Sequence, residues 1–226
     1  MRRILAALAL CVALPVGRAE ATIVVVLTTA DRIIMAADSR QGHAGDINDH
    51  ACKIQWAGAT AVALSGNVTT SMLRIGGEVL RGAGSVGDKY TVLLRRLVQE
   101  EPDSFSAEGF VVTFAAFQQG APALAAGKLQ RPFIPWAPMF ACADASACTS
   151  VLFYGETSAI DRDKDAVYAW LQTRPNEKDM IDRARLLVEA QRDAPGMAAK
   201  IGGPIDIAVI DANGARWIQV KDECRR

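Results

Sequence analysis

The chain has 226 residues, half of them hydrophobic, which is enough for one domain with a substantial core. Its 25 basic residues balance 25 acidic ones, and no basic run interleaved with aromatic residues suggests nucleic-acid binding. The five cysteines include no Cys-x-x-Cys pair and there are only two histidines, so the sequence predicts neither a zinc site nor another cofactor.

The N-terminus has the layout of a secretory signal peptide. Met1-Arg2-Arg3 is positively charged, residues 4–16 are apolar, and Ala19-Glu20-Ala21 offers small residues for cleavage. The apolar run is short for a membrane span, and an uncleaved anchor is the alternative. We therefore expect residues 1–21 to be removed and residues 22–226 to be periplasmic or secreted, without a membrane segment. Cleavage after Ala19 and cleavage after Ala21 both satisfy the small-x-small rule.

Apolar runs and helical periods alternate along the rest of the chain. Residues 39–50 are polar and predict a loop, and residues 130–147 carry three prolines and predict an irregular segment. Strands this hydrophobic need cover on both faces, so we expect two stacked sheets between two helical layers. In chain order the patterns predict strands over residues 22–27, 33–37, 53–56 and 60–64, helices near 68–80 and 90–99, strands over 110–117, 121–126 and 150–154, helices over 161–172 and 176–190, and strands over 205–211 and 215–220.

Export would place the cysteines in an oxidising compartment. Cys142 and Cys148 bracket five residues of the irregular segment, and this short spacing predicts a local disulfide. Cys52 and Cys224 are less certain partners because they lie far apart in sequence.

Four residues of the first third form a candidate catalytic set. Cleavage after Ala21 would make Thr22 the first residue, and an N-terminal threonine can use its own α-amine as the base that activates its hydroxyl. Lys53 could stabilise the developing alkoxide if Asp38 orients it. The backbone N–H of Gly66, before a predicted helix, could hold a tetrahedral oxyanion.

Five segments follow one another in a characteristic order along the chain. They are Thr22-Ile-Val-Val-Val, Ile33-Ile-Met-Ala-Ala-Asp38, Lys53-Ile54, Ala63-Leu-Ser-Gly66 and Gly202-Gly-Pro-Ile-Asp-Ile-Ala-Val-Ile210. In this order they resemble the proteasome β-subunits and their bacterial relatives among the N-terminal-nucleophile hydrolases. The resemblance implies an α+β fold, a four-layer αββα sandwich of two mostly antiparallel sheets. It implies Thr22 as nucleophile, Asp38 and Lys53 as its supports, and Gly66 as oxyanion donor.

The resemblance implies a threonine amidohydrolase, with peptides as the expected substrate, that needs no cofactor or metal and is compatible with a homo-oligomeric ring. The signal-peptide layout adds that the enzyme is exported. The family's Asp and Ser before the Gly-Gly pair are matched here by Ala198 and Ile201. Two other functions stay open from the sequence. One is a non-catalytic, proteasome-like scaffold or binding subunit, and the other is an acylase for a small amide.

Overall fold

The computed structural model describes residues 22–43, 46–66, 68–104, 109–130, 149–198 and 200–225. In this part of the chain eleven strands and four α-helices follow one another. They are β1 (Ile23–Thr29), β2 (Arg32–Ala37), β3 (Gln41–His43), β4 (Asp46–Asn48), β5 (Ile54–Ala57), β6 (Thr60–Gly66), α1 (Thr70–Arg81), α2 (Val86–Glu100), β7 (Phe110–Gln118), β8 (Ala121–Leu129), β9 (Ser150–Gly155), α3 (Lys164–Gln172), α4 (Glu177–Arg192), β10 (Asp206–Asp211) and β11 (Gly214–Gln219).

Nine of these strands form two larger sheets. One has five strands in the order β11-β10-β2-β1-β9, and the other has four in the order β5-β6-β7-β8. Every described pairing is antiparallel. The α+β class with two antiparallel sheets and helices, predicted from the sequence, is confirmed.

Strand β1 is buried along its whole length because its two faces lie in different apolar clusters. Ile23, Val25 and Leu27 pack with α3 and α4 residues such as Met180 and Val188. Val24 and Val26 lie with residues of the second sheet. This is why the strand reads as an unbroken apolar run rather than an alternating one.

The four-stranded sheet is covered by the other two helices. Val62, Leu64 and Phe114 of this sheet pack with Ile75 of α1 and Leu93 of α2. The helical periods of α1 and α2 follow from this contact, since their apolar side chains recur on the face that meets the sheet.

Local signals set several element ends. The predicted N-cap of α4 is confirmed, because the Asn176 side chain accepts a hydrogen bond from Asp179 N–H at 2.9 Å. Helix α2 begins four residues earlier than its apolar pattern predicts, because Ser85 and Asp88 form a capping box ahead of it.

The outcome for the loop over residues 39–50 and for the cysteine pairing is as follows. The prediction of a loop over residues 39–50 is wrong in part, because the short strands β3 and β4 pair there, Gln41 opposite Asn48. Strands of three residues, with Ile47 as the single large apolar residue in the two, are too short to show an apolar period. The predicted Cys142–Cys148 disulfide lies outside the described residues, and Cys52 and Cys224 are bonded to each other.

None of the described helices is both long and apolar enough to cross a bilayer.

Candidate functional site

The predicted site residues collect at one end of the two sheets. Antiparallel pairing brings the start of β1 to the end of β2 and the end of β9, with Val24 opposite Ala37 and Ile23 opposite Gly155. The second sheet contributes the beginning of β5 and the end of β6, joined by a hydrogen bond from Leu64 N–H to the Lys53 carbonyl at 3.2 Å.

Asp38 is the centre of the hydrogen bonding at this end. Its carboxylate is fully buried and accepts four hydrogen bonds. Oδ1 accepts from Lys53 Nζ at 2.7 Å and from Ile23 N–H at 2.9 Å. Oδ2 accepts from the N–H groups of Arg40 at 3.1 Å and Gly202 at 3.2 Å. Asp38 thus binds both the predicted cation and the residue that follows the predicted nucleophile.

Lys53 is almost as buried as its partner, with 4% of its side chain exposed. Burial lowers the pKa of the Lys53 ammonium below its ordinary value, and the charge and hydrogen bond of Asp38 oppose that effect. The predicted pairing of these two residues is present in the structure.

Thr22 lies buried next to this pair. Its carbonyl accepts a hydrogen bond from Glu156 N–H at 2.9 Å, and its neighbour Ile23 donates to Asp38. By strand alternation its side chain lies on the face of β1 that meets the second sheet. The approach of β9 depends on Gly155, where an added Cβ would come within 1.6 Å of the Thr22 carbonyl oxygen.

Gly66 ends β6 in a left-handed conformation, with φ of +98°. A Cβ there would meet the carbonyl oxygen of Gly109 at 2.9 Å, so a side chain would push the neighbouring strand away. The residue before it, Ser65, is buried and its hydroxyl has no hydrogen-bond partner within the described part of the chain.

A second buried ion pair, absent from the sequence predictions, lies beside the first. Lys221 Nζ and Asp206 Oδ2 are 2.5 Å apart, with 2% and 1% of their side chains exposed. The same ammonium donates to Ser39 Oγ at 2.6 Å and to the Ala51 carbonyl at 2.9 Å. Asp206 belongs to the Gly-Gly segment of the resemblance, whereas Lys221 follows β11 with no motif around it.

The two positions where the sequence departs from the family have different surroundings. Ile201 is buried in the apolar cluster under α3 and α4. The carbonyl of Ala198 accepts a hydrogen bond from Arg40, whose guanidinium also forms a bidentate pair with Asp49 at 2.6 and 2.8 Å. Glu156, whose N–H donates to the Thr22 carbonyl, also forms a salt bridge with Lys200 at 3.5 Å.

Neither a metal cluster nor a relative defines this site further. The described residues contain no group of three or more histidine, cysteine and acidic side chains suited to a metal ion. No protein-family model matches the chain, and no curated protein matches it at a significant level. What the site does has to follow from its own chemistry.

Proposed function

We propose that the mature protein is an N-terminal threonine amidohydrolase that cleaves peptide bonds. One observation carries this proposal: the buried Asp38 carboxylate binds the Lys53 ammonium and, through the same oxygen, the N–H of the residue after Thr22. A buried ion pair locked to the backbone beside a threonine is the electrostatic arrangement that alkoxide formation requires.

The proposed reaction needs only groups of this chain and water. The free α-amine of Thr22, with an ordinary pKa of about 8, takes the proton of its own hydroxyl, and Oγ1 attacks the amide carbonyl. Lys53 stabilises the negative charge on Oγ1, and the N–H of Gly66 stabilises the oxyanion. The leaving amine receives the proton from the Thr22 ammonium. Water then hydrolyses the ester: the α-amine accepts a proton from the attacking water and returns it to Oγ1 as the acid product leaves, which restores the free amine and hydroxyl of Thr22.

The packing of the sheets supports a four-layer αββα sandwich for this fold. One apolar cluster joins the five-stranded sheet to α3 and α4, a second joins the four-stranded sheet to α1 and α2, and a third contains residues of both sheets. This is the layer order that the resemblance to proteasome β-subunits implies, and membership of that family is part of the proposal. A homo-oligomeric ring is compatible with it.

The Cys52–Cys224 disulfide supports export, because such bonds persist in oxidising compartments. We therefore propose that residues 1–21 are a signal peptide and that the domain of residues 22–226 works in the periplasm or outside the cell. A cut after Ala21 would release the protein and create its catalytic base in one step, since an acylated amine has no useful basicity.

The experiment is intact mass spectrometry of exported protein before and after treatment with a peptide β-lactone. Ring opening by Thr22 Oγ1 adds the whole mass of the lactone as an ester. We expect a mature chain that begins at Thr22 and gains one lactone. The T22V variant should gain none, because valine keeps the shape of threonine without the hydroxyl.

The matched control is T28V, which removes the buried hydroxyl of Thr28 in β1, a group that lacks a hydrogen-bond partner among the described residues. It should still gain one lactone. A stable chain that begins at Glu20 and does not react would contradict the proposal and favour the scaffold function. Faster turnover of small amides than of peptide amides would favour the acylase.

A further inference from the structure

Lys221 uses all of its hydrogen-bonding capacity in the interior. An ammonium has three N–H donors, and these donate to Asp206, Ser39 and the Ala51 carbonyl at 2.5, 2.6 and 2.9 Å. The backbone N–H of Lys221 also donates to Asp206 Oδ1 at 3.1 Å. A lysine that is desolvated and fully satisfied in this way holds its acceptors at fixed separations.

The acceptors of Lys221 belong to the segments that carry the candidate site. Ser39 follows Asp38, and its hydroxyl donates to the Pro204 carbonyl at 2.5 Å. Ala51 N–H donates to the Ser39 carbonyl at 3.1 Å, and Ala51 O accepts from Lys53 N–H at 3.2 Å. The ammonium therefore joins the backbone next to Asp38 to the backbone next to Lys53.

The disulfide fixes the same connection a second time. Cys52 precedes Lys53, and its partner Cys224 ends the short 3-10 helix that follows Lys221. Residues 221–224, which we call the C-terminal clamp, are thus attached to residues 51–53 by one covalent bond and one buried ion. The C-terminal clamp takes no direct part in the proposed reaction, so it would affect the site by fixing the position of residues 51–53 and through the charge of Lys221.

The charges of the two pairs act on each other. Lys53 is surrounded by Asp38 after β2, Asp206 at the start of β10 and Lys221 after β11. The pair of Arg40 and Asp49 lies further out. The positive charge of Lys221 lowers the pKa of Lys53, and the negative charge of Asp206 raises it. Two acids and two bases balance in the interior, so loss of any one leaves a buried excess charge.

We propose that Asp206 and Lys221 are a positioning pair for the candidate site: their buried contacts hold the segments of Asp38 and Lys53 in register. The catalytic consequence of this inference rests on the proposed function. The coupling between the Asp38–Lys53 pair and the Asp206–Lys221 pair can be measured without any catalytic turnover.

The first measurement is a ¹⁵N NMR titration of the Lys53 ammonium in the full mature chain. We expect K221M to raise the pKa of Lys53 and D206N to lower it, because the two changes remove charges of opposite sign. The joint variant D206N/K221M removes both charges and should shift the pKa less than either single change. Equal pKa values in all four proteins would overturn the inference.

The second measurement is the rate at which a peptide β-lactone acylates Thr22. Residues that orient the ligands of a metal ion contribute about 10- to 100-fold to affinity or activity, and we expect D206N/K221M, which removes a comparable support, to slow acylation by a similar factor. The matched control is K89M, since Lys89 is another buried lysine whose ammonium donates to the carbonyls of Leu80 and Gly82 on α1. It should react within about twofold of wild type.

The outcomes separate the two proposals. If wild type is acylated and D206N/K221M reacts at the same rate as K89M, the inference fails while the proposed function stands. If wild type is not acylated, the proposed function fails and the titration of Lys53 alone decides the inference. If K221M does not fold, S39A removes a single acceptor of Lys221 and should slow acylation in the same direction, whereas an unchanged rate would contradict the inference.

Discussion

At the scale of single residues, the candidate site is organised by one carboxylate. Asp38 accepts three hydrogen bonds from backbone N–H groups and one from Lys53. The three backbone N–H donors still satisfy and stabilise the Asp38 carboxylate when the Lys53 ammonium is removed. The lysine can therefore be tested without leaving Asp38 bare in the interior.

The first prediction concerns the Lys53 ammonium. K53M keeps the apolar stem of the side chain and removes its charge, so acylation of Thr22 should fall by at least about 100-fold, as when an electrostatic stabiliser is lost. The measurement is the β-lactone rate, with K89M as the control for loss of a buried lysine. An unchanged rate in K53M would exclude Lys53 from the reaction.

The second prediction is the pH dependence of acylation. The rate should rise with pH as the α-amine loses its proton near pH 8. At higher pH the rate should decline as Lys53 loses its proton. Because burial lowers the pKa of Lys53, this decline should set in at a pH lower than the ordinary lysine pKa of about 10.4. Between the lowered and the ordinary pKa the unfolded chain binds more protons at this lysine. The lysine's contribution to stability therefore rises with pH in that window.

Activity would thus decline while this contribution to stability rises, and unfolding would not explain the decline. Rates and unfolding free energies from pH 6 to 11, compared with those of K53M, check this prediction. An alkaline limb at the ordinary pKa of lysine or above would contradict it.

The third prediction concerns Gly155. G155A requires a side chain at φ of +88° and places Cβ 1.6 Å from the Thr22 carbonyl oxygen. The backbone term alone costs about 1–2 kcal/mol, and the collision adds to it and moves Thr22. The matched control is G120A, whose φ is +78° with nothing within 4 Å of the added Cβ.

Urea unfolding and the β-lactone rate together read out this pair of variants. G155A should lose more stability than G120A, and only G155A should lose acylation. Equal losses of stability with normal acylation in both would mean that β9 does not position Thr22.

At the scale of elements, α4 covers the five-stranded sheet whose strand β1 directly follows the candidate nucleophile. Its apolar residues, among them Met180 and Val188, pack against Ile23 and Val25. The helix begins at a side-chain cap, so its first turn is stabilised by a local hydrogen bond in addition to its tertiary contacts.

The fourth prediction tests that cap. N176A removes the acceptor of Asp179 N–H and should lower the free energy of unfolding by about 1 kcal/mol, while N176D should retain most of it. Urea titration of the three proteins measures the difference. Identical midpoints for N176A and wild type would mean that the cap contributes nothing.

At the scale of the whole molecule, the C-terminal clamp connects the end of the chain to its first third. Cys52 and Cys224 are 172 residues apart in sequence, and Lys221 bonds to Ser39 across 182 residues. A disulfide that closes so long a loop stabilises the fold mainly by restricting the unfolded chain, whereas the hydrogen bond acts only in the folded state.

The fifth prediction follows from that loop. C52A/C224A should lower the free energy of unfolding by about 2–5 kcal/mol. A reductant should destabilise wild type more than it destabilises the variant, which retains only Cys142 and Cys148 as a possible pair in the mature chain. Thiol counting on the denatured protein would contradict the bond if both cysteines alkylate without reductant. The Cys142–Cys148 bond stays a prediction, and peptide mapping of the alkylated protein tests it.

Much of the secondary structure could be predicted because its causes are local. The apolar run of β1, the hairpin of β7 and β8, and the Asn176 cap are all encoded within a few neighbouring residues. The pairing of Asp38 with Lys53 could be expected as well, because the two residues end and begin neighbouring apolar strands. Strands β3 and β4 escaped prediction because pairing between short polar segments leaves no periodic signal.

By itself, the sequence determined the α+β class, the order of the long elements and the candidate residues Thr22, Asp38, Lys53 and Gly66, because apolar periods and strand ends are read along the chain. Only the tertiary structure decided that Lys221 and Asp206 form a second buried ion pair and that Cys52 bonds to Cys224. The physical reason is that burial of a charge or a thiol depends on segments brought together by sheet pairing. Ala51 and Lys221, 170 residues apart, carry no local mark of their contact.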